Sequence, residues 1–156
     1  MKDFQLTRFG RGYWEITAEG GDAEQVDGFE TAILTSNFTN ARADESEIID
    51  PLRRGGWVGN VLNPKGYVLG NKAWLMEREK LTDANAKTLR EYVRRGYQWM
   101  IDKKRLRAVD VRVKPNHKEQ KYEVFSVFYA RDGRKHEFTY DWNVTDVNKI
   151  TKNLGD

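Results

Sequence analysis

The most regular hydrophobic pattern of the chain lies in residues 71–101. In its second half, apolar residues recur at intervals of three and one, which is the spacing of a helix with one buried face. The set is Leu89, Tyr92, Val93, Gly96, Tyr97, Met100 and Ile101. Thr82 or Asp83 can cap its first turn, and a basic run follows its last turn, where the helix dipole is negative. The pattern predicts two helices, over about residues 71–81 and 83–101, joined by a tight corner.

The pattern changes from a helical period to alternation after residue 106. Valines alternate with polar residues over residues 107–113, and residues 122–129 carry aromatic side chains on both faces. An Arg-Asp-Gly-Arg turn signal at residues 131–134 is followed by renewed alternation over residues 136–142. Three such strands in succession indicate an antiparallel meander. We expect this sheet to pack against the helices, which makes the fold α+β.

The chain before Asn71 is less regular. Residues 4–7 and 13–17 alternate on either side of two glycines and predict an N-terminal β-hairpin. Asp27 can cap a helix predicted over Gly28–Phe38, the first of three in the chain. Residues 39–70 are polar and then rich in glycine and proline. A loop of this length in a compact domain is usually functional.

Composition is that of a globular protein with one core. Of 156 residues, 38% are hydrophobic and 33% are charged, and this length suffices for one domain. We assign residues 1–142 to that domain and residues 143–156 to a C-terminal extension, where Val147, Ile150 and Leu154 predict a short helix. The absence of cysteine excludes disulfides and thiolate metal sites. The sequence shows no signal peptide and no apolar run of membrane-spanning length, so we expect neither export by a signal peptide nor a membrane span.

Four carboxylates in the long loop raise the alternative of a peptidoglycan-cleaving glycosidase. They are Asp44, Glu45, Glu47 and Asp50. Such catalysis needs one carboxyl group in an apolar pocket so that its pKa rises, and only Ile48 and Ile49 are apolar neighbours here. A solvated acidic loop is the better interpretation. The two histidines have no metal-binding spacing and the sequence has no phosphate-binding glycine loop, so we expect no enzymatic activity, metal or cofactor.

Arginine and tryptophan residues in the same loop raise two further possibilities. Arg53 and Arg54 precede Trp57, and a second pair, Arg94 and Arg95, lies on the polar side of a predicted helix. A nucleic-acid-binding module is the weaker reading, because the net charge is only +3 and acids are interspersed with bases. Arginine and tryptophan on a glycine-rich loop are residue types that anchor protein interfaces. Arg53, Arg54 and Trp57 are therefore predicted to bind a protein partner.

Several blocks of the sequence resemble the Mu-like phage baseplate wedge proteins. The blocks are DGFETAIL at residues 27–34, SNFTNAR at 36–42, RGGWVGN at 54–60, GNKAWLMEREK at 70–80 and YQWM at 97–100. They occur in the order of that family, and the resemblance extends over about residues 4–142. The family is similar in turn to the lysozyme-like wedge and sheath-initiator proteins of contractile tails.

The resemblance implies a structural, non-enzymatic protein of the virion, located in the tail baseplate after synthesis in the bacterial host cytoplasm. Proteins of the wider group sit in six copies around the tail hub. The partners that the resemblance implies are the other baseplate wedge proteins, the tail hub or spike complex, and the sheath protein. It implies no cofactor, no membrane and no nucleic acid. Many members of the wider group also offer a sheet edge to the first sheath ring.

The resemblance implies particular contact residues as well. The wider group carries an acidic-proline-arginine motif after its first helix, which holds the wedge bundle. The matching place reads Asn40-Ala41-Arg42, so the arginine is kept and the other two residue types are not. For the sheath contact, we expect the last strand to present its free edge at Glu137, Thr139 and Asp141, because a three-stranded sheet has two unpaired edges.

Overall fold

In the computed structural model, residues 28–62, 66–77 and 79–143 are described, and the chain before Gly28 is described by the backbone of short strands. Those strands are β1 (Lys2–Phe4), β2 (Leu6–Phe9), β3 (Tyr13–Ile16), β4 (Ala18–Glu19), β5 (Asp22–Ala23) and β6 (Gln25–Asp27). Strand β1 pairs antiparallel with β6, β2 with β3, and β4 with β5. The turn of the predicted hairpin, residues 10–12, and the predicted C-terminal helix lie outside the described residues, so both stay predictions.

The main sheet has three antiparallel strands in the order β7-β8-β9. They are β7 (Leu106–Asn116), β8 (Lys121–Ala130) and β9 (Lys135–Asn143). At the predicted turn, Ala130 donates its N–H to the Arg134 carbonyl at 2.9 Å. Gly133 there has a φ of +92°, which glycine adopts without strain. The predicted α+β class with a C-terminal antiparallel meander is confirmed.

Side chains of the main sheet alternate between two faces because the period of a strand is two. The face toward the helices is buried and includes Val111, Tyr122, Val124, Ser126, Phe128, Phe138, Tyr140 and Trp142. The opposite face is more polar, with Arg112, Phe125 and Thr139 side by side on the three strands. Each large apolar side chain on the buried face contributes roughly 1.5–3 kcal/mol through burial, before entropy is subtracted.

Helix α1 (Gly28–Phe38) has the bounds that the sequence predicts. None of its residues is exposed, which agrees with apolar residues on more than one side of the helix. Phe29 packs edge-on against Phe128 with ring centroids 6.0 Å apart, and Phe38 packs against Tyr140 at 5.7 Å. Helix α1 therefore lies in the interior, against the buried face of the main sheet.

The long predicted helix over residues 83–101 is divided into α2 (Asp83–Gly96) and α3 (Gln98–Asp102). Thr82 caps α2, since its Oγ1 accepts the Asn85 N–H at 3.1 Å. At the break, the Tyr97 N–H donates to the Arg94 carbonyl at 3.2 Å. This bond spans three residues, as in a 3-10 helix, whereas the bonds of an α-helix span four. None of the described helices is long and apolar enough to cross a membrane.

The helix predicted over residues 71–81 is a single 3-10 turn, Ala73–Met76, in the described part of that segment. Long-range hydrogen bonds of side chains hold the two ends of the segment. Asn71 donates its amide to the carbonyls of Ser36 and Asn37, at 3.0 and 2.9 Å. The Tyr122 hydroxyl, at the other end, accepts the Thr82 N–H at 2.9 Å. Tertiary hydrogen bonds have overridden a weak helical pattern.

Candidate partner-binding surface

The long loop, residues 39–70, is folded onto itself and onto Asn71. Ala41 donates to the Asn71 carbonyl at 2.8 Å, and Asn71 donates to the Thr39 carbonyl at 3.0 Å. On the other side, Ala43 donates to Arg54 at 2.8 Å, and Trp57 donates to Asn40 at 3.0 Å. Residues 40–43 thus form a central segment with neighbours on both sides. In its described part, the loop has a defined conformation, and its regular secondary structure is limited to the 3-10 turns Glu45–Glu47, Pro51–Arg53 and Val58–Asn60.

Glycines allow two of these close backbone approaches. Gly56 has a φ of +103°, and a Cβ atom there would lie 2.9 Å from the Arg42 Cβ. Gly70 has a φ of +97°, and a Cβ atom there would lie 2.2 Å from the Thr39 carbonyl oxygen. Both positions combine a left-handed backbone with a tight contact, so a larger residue would be strained at either one.

The large exposed hydrophobic side chains of the described residues all belong to this loop. They are Ile49, Leu52, Trp57, Val58, Val61, Leu62 and Val68. Trp57 is 47% exposed and Val61 is 77% exposed. Single exposed apolar residues are common on proteins, but a group of them in one segment makes this loop a candidate interaction surface.

Several of these side chains line a groove of about 440 Å³, which we call the apolar groove. Its walls include Trp57, Val58, Val61 and Val68, and Arg42 lies at the same groove. The Asn60 amide holds two parts of the wall together, because it donates to the Leu69 carbonyl at 2.9 Å and accepts the Leu69 N–H at 2.8 Å. No carboxylate among the described residues forms an ion pair with the exposed Arg42. The groove combines apolar walls with a cation that has no carboxylate partner among the described residues.

The predicted contact residues of the loop have different positions. Asn40 is exposed and supplies the carbonyl that accepts the Trp57 N–H. Arg54 is turned inward: its Nε donates to the Ala43 carbonyl at 2.9 Å and its Nη1 to Glu45 at 3.0 Å. Arg53 is exposed, pairs with Asp50 at 3.5 Å and does not line the apolar groove. The structure therefore brings Arg42 and Trp57 together and gives Arg54 a supporting position.

The acidic residues of the loop bind a lysine. Lys72 Nζ lies 2.7 Å from an oxygen of Asp44 and 2.7 Å from an oxygen of Glu47. The hydrogen bond from Lys72 lowers the pKa of Asp44. Burial raises the pKa of Glu47, but hydrogen bonds from Lys72 and the Asp44 backbone outweigh it, so the net shift is downward. A glycosidase acid needs the opposite shift, so these two carboxylates fit an ion-pair network that holds the loop.

The predicted edge residues lie on β9, a different element from the loop. The bond from the Ala130 N–H to the Arg134 carbonyl fixes which residue pairs of β8 and β9 exchange hydrogen bonds. Such pairs alternate along an antiparallel ladder, so here they are the pairs of even-numbered residues. The N–H groups of Glu137, Thr139 and Asp141 therefore point away from β8. On the outer face, Glu137 pairs with Lys135 at 2.6 Å and Asp141 with Lys121 at 2.8 Å. No described strand pairs with this edge.

Comparison with known proteins identifies the family. The family model described as "Phage protein GP46" matches residues 29–135. The chain is also 30% identical over 110 residues to the "Baseplate protein gp46" of Escherichia phage Mu, which covers 69% of this chain and 73% of that protein. The chain belongs to the phage protein GP46 family. The resemblance inferred from its sequence blocks is thereby confirmed.

The GP46 match includes α1, the long loop, α2, α3, β7 and β8, and it ends at the first residue of β9. The apolar groove therefore lies within the matched region, whereas Glu137, Thr139 and Asp141 lie beyond it. The patterns in the sequence did not single out Val58, Val61 and Val68 as surface residues. The available signal was the presence of branched apolar residues in a glycine-rich segment with no hydrophobic period.

Three of the family blocks, at residues 36–42, 70–80 and 97–100, supply the residues of a buried polar network. Tyr97 donates its hydroxyl to Asn37 at 2.7 Å, and Trp99 donates its indole N–H to the Ser36 hydroxyl at 2.8 Å. Asn71 bonds the last turn of α1 at the same place. Burial raises the pKa of Tyr97, so this hydroxyl stays protonated and can donate. These residues join α1 to α3 and to the loop, which is a structural role.

Proposed function

We propose that this GP46 family member is a structural component of a contractile phage tail baseplate, a wedge protein at the junction of hub and sheath. The apolar groove beside Arg42, inside the family-matched region, is the observation that carries the proposal. The name of the phage Mu relative, a baseplate protein, supports it. The protein acts by assembly with other wedge proteins and with the hub or spike complex, in six copies per baseplate, and has no catalytic role.

The groove suits an apolar segment of a neighbouring wedge protein. Burial in it contributes roughly 25 cal/mol per Å² of apolar surface removed from water. Trp57 supplies a rigid aromatic surface, and the Arg42 guanidinium can hold a carboxylate or the carbonyl end of a partner helix. Arg54 contributes indirectly, since it fixes the backbone of Ala43 next to Arg42.

The β9 edge is the proposed contact for the sheath protein. Outward N–H groups at Glu137, Thr139 and Asp141 can pair with an added strand, and the alternating side chains set its register. Strand β7 is the other edge of the sheet, and it carries Pro115, which has no N–H to donate. These features favour β9 as the strand on which the first sheath ring forms.

Assembly of the baseplate tests the proposal. We expect Trp57→Ala combined with Arg42→Ala to leave the fold intact and to reduce co-purification with the neighbouring wedge proteins at least tenfold, because both groove contacts are lost. Arg53→Ala is the matched control, since Arg53 is exposed on the same loop but does not line the groove.

Infection with phage that carry these variants gives the second measurement. Loss of tails with the groove variant and normal tails with Arg53→Ala are expected in electron micrographs. Hydrogen exchange at residues 57–61 should slow in the assembled baseplate relative to the free protein. Normal baseplates with the groove variant, or equal hydrogen exchange in the free and the assembled protein, would show that the apolar groove does not bind a wedge protein.

A further inference from the structure

A second groove, of about 490 Å³, lies between β7 and α2. We call it the β7 groove. Its charged lining consists of Lys87 and Arg90 from α2, Arg112 and Lys114 from β7, and a single carboxylate, Asp83. Positive charge therefore dominates the groove, although the chain as a whole is close to balanced. A partner with the opposite charge is favoured there.

Neither lysine of the β7 groove forms an ion pair with another described residue. Arg90 pairs with Glu91 at 2.9 Å and Arg112 with Asp110 at 3.1 Å. Lys87 forms no ion pair within the described part of the chain, and Lys114 lies 5.8 Å from the centre of the Phe125 ring. Two cations thus remain available to a ligand, and two more could exchange their exposed partners at little cost.

The β7 edge that borders this groove also has free backbone donors. The N–H groups of the even-numbered residues of β8 bond β9, so those of its odd-numbered residues point toward β7. These odd-numbered residues of β8 pair with the even-numbered residues of β7. The N–H groups of Val109, Val111 and Val113 therefore point away from the sheet. No described strand pairs with this edge. Val111 and Val113 also line the β7 groove, so donors and cations lie together.

We propose that the β7 groove binds an extended acidic segment of a partner protein, which adds to β7 as a strand. Main-chain hydrogen bonds to Val111 and Val113 supply part of the affinity, and carboxylates on one face of the segment meet Arg112 and Lys114. Apolar residues on its other face pack toward Ala86 of α2. Pro115 has no N–H, so the paired stretch ends there.

This site is separate from the apolar groove and from the β9 edge, and it does not depend on the proposed function. The proposal for the β7 groove can therefore be wrong while the proposal of baseplate assembly through Arg42 and Trp57 is right, and the converse also holds. The test accordingly uses the purified full-length protein and a synthetic probe, with no baseplate component present.

The probe is a blocked heptapeptide in which glutamate alternates with valine, titrated into ¹⁵N-labelled protein. We expect saturable shifts of the Val111 and Val113 amide signals, and at least tenfold slower hydrogen exchange at both amides. A twin peptide with lysine in place of glutamate should bind at least tenfold more weakly. Equal binding of the two peptides would overturn the proposal.

Two controls separate strand addition from plain charge attraction. Arg112→Glu with Lys114→Glu should weaken the acidic peptide at least tenfold, whereas Arg53→Glu with Arg131→Glu, the same charge change outside the groove, should not. Methylation of alternate amide nitrogens of the peptide should abolish binding in one frame and preserve it in the other. Retained binding in both frames, or equally tight binding of single-stranded DNA, would show a site for any polyanion and overturn the proposal.

Discussion

The side chain of Asn71 connects helix α1 to the 3-10 turn at Ala73–Met76. Its amide nitrogen donates to the carbonyls of Ser36 and Asn37, which end α1, and its amide oxygen accepts the Ala73 N–H at 2.8 Å. The last carbonyls of a helix have no partner within the helix, so an outside donor must satisfy them when they are buried. Asn71 does this from 34 and 35 residues away.

Removal of the Asn71 amide should be strongly destabilising. In Asn71→Ala, two buried carbonyls lose their donor, at about 1–3 kcal/mol each, so the free energy of unfolding should fall by roughly 3 kcal/mol or more. Urea denaturation measures this. Gln98→Ala, which removes an exposed hydrogen bond to Asp102, should change it by less than about 0.5 kcal/mol. Similar effects of the two substitutions would contradict this role of Asn71.

The ion pairs of Lys72 predict that the stability of the fold depends on pH. The pKa values of Asp44 and Glu47 are lowered in the folded protein, from ordinary values of 3.8 and 4.5. Groups with lowered pKa values stabilise the fold fully above those ordinary values, and this contribution is lost as the pH falls through the folded values. The stability difference between wild type and Lys72→Gln should thus be constant near neutral pH and shrink below about pH 4.5. If urea titrations give the same stability difference at pH 3 as at neutral pH, this prediction is wrong.

At the scale of elements, the long loop depends on backbone contacts more than on buried side chains. Gly56 lies at one of these contacts, beside the Arg42 backbone, while Gly66 has a positive φ of +69° and no described atom within 4 Å of the position that a Cβ would take. The pair offers a test, because both glycines have a positive φ, which a larger residue adopts only with strain, and only Gly56 adds a steric contact.

Gly56→Ala should open the loop locally. The added Cβ would lie 2.9 Å from Arg42, so the hydrogen bonds of Ala43 and Trp57 should weaken and their amides should exchange at least tenfold faster. Gly66→Ala should leave both exchange rates near those of wild type. Hydrogen exchange followed by NMR checks this, and equal acceleration in both variants would mean that strain, not contact, controls the loop.

The direction of the N–H groups on β9 can be tested by proline substitution. Thr139→Pro removes a donor that points away from β8, so the isolated domain should fold with a small loss of stability. Tyr140→Pro removes a donor bonded to β8 and should prevent folding or cost about 3 kcal/mol or more. Circular dichroism and thermal melts measure both. If the Thr139 variant is the less stable of the two, the assigned direction is wrong.

At the scale of the whole molecule, the three proposed interaction surfaces lie on elements that pack around one hydrophobic core. Helix α1 is enclosed, and the main sheet, α2 and the long loop are arranged around it. The apolar groove, the β9 edge and the β7 groove lie on different elements, so one protein can contact several neighbours at once. That is a property expected of a component that acts by assembly.

Local patterns in the sequence determined the elements whose periods are regular. Alternation predicted the three strands of the main sheet, and the Asp27 cap with its apolar residues predicted α1 with its observed bounds. The family, too, could be inferred from short blocks. The predictions of the strands and of α1 depend on neighbouring residues only, and side-chain period and capping act over that range.

Only the tertiary structure decided the arrangement of the loop and the residues around it. The predicted helix at residues 71–81 became one 3-10 turn because Asn71 bonds α1 and Tyr122 bonds Thr82, contacts that span tens of residues. Arg54 turned inward to the Ala43 carbonyl, while Val58, Val61 and Val68 came together beside Arg42. The sequence of a loop without a hydrophobic period does not indicate which residues the loop contacts. Long-range hydrogen bonds, and not helix or strand propensity, set its conformation.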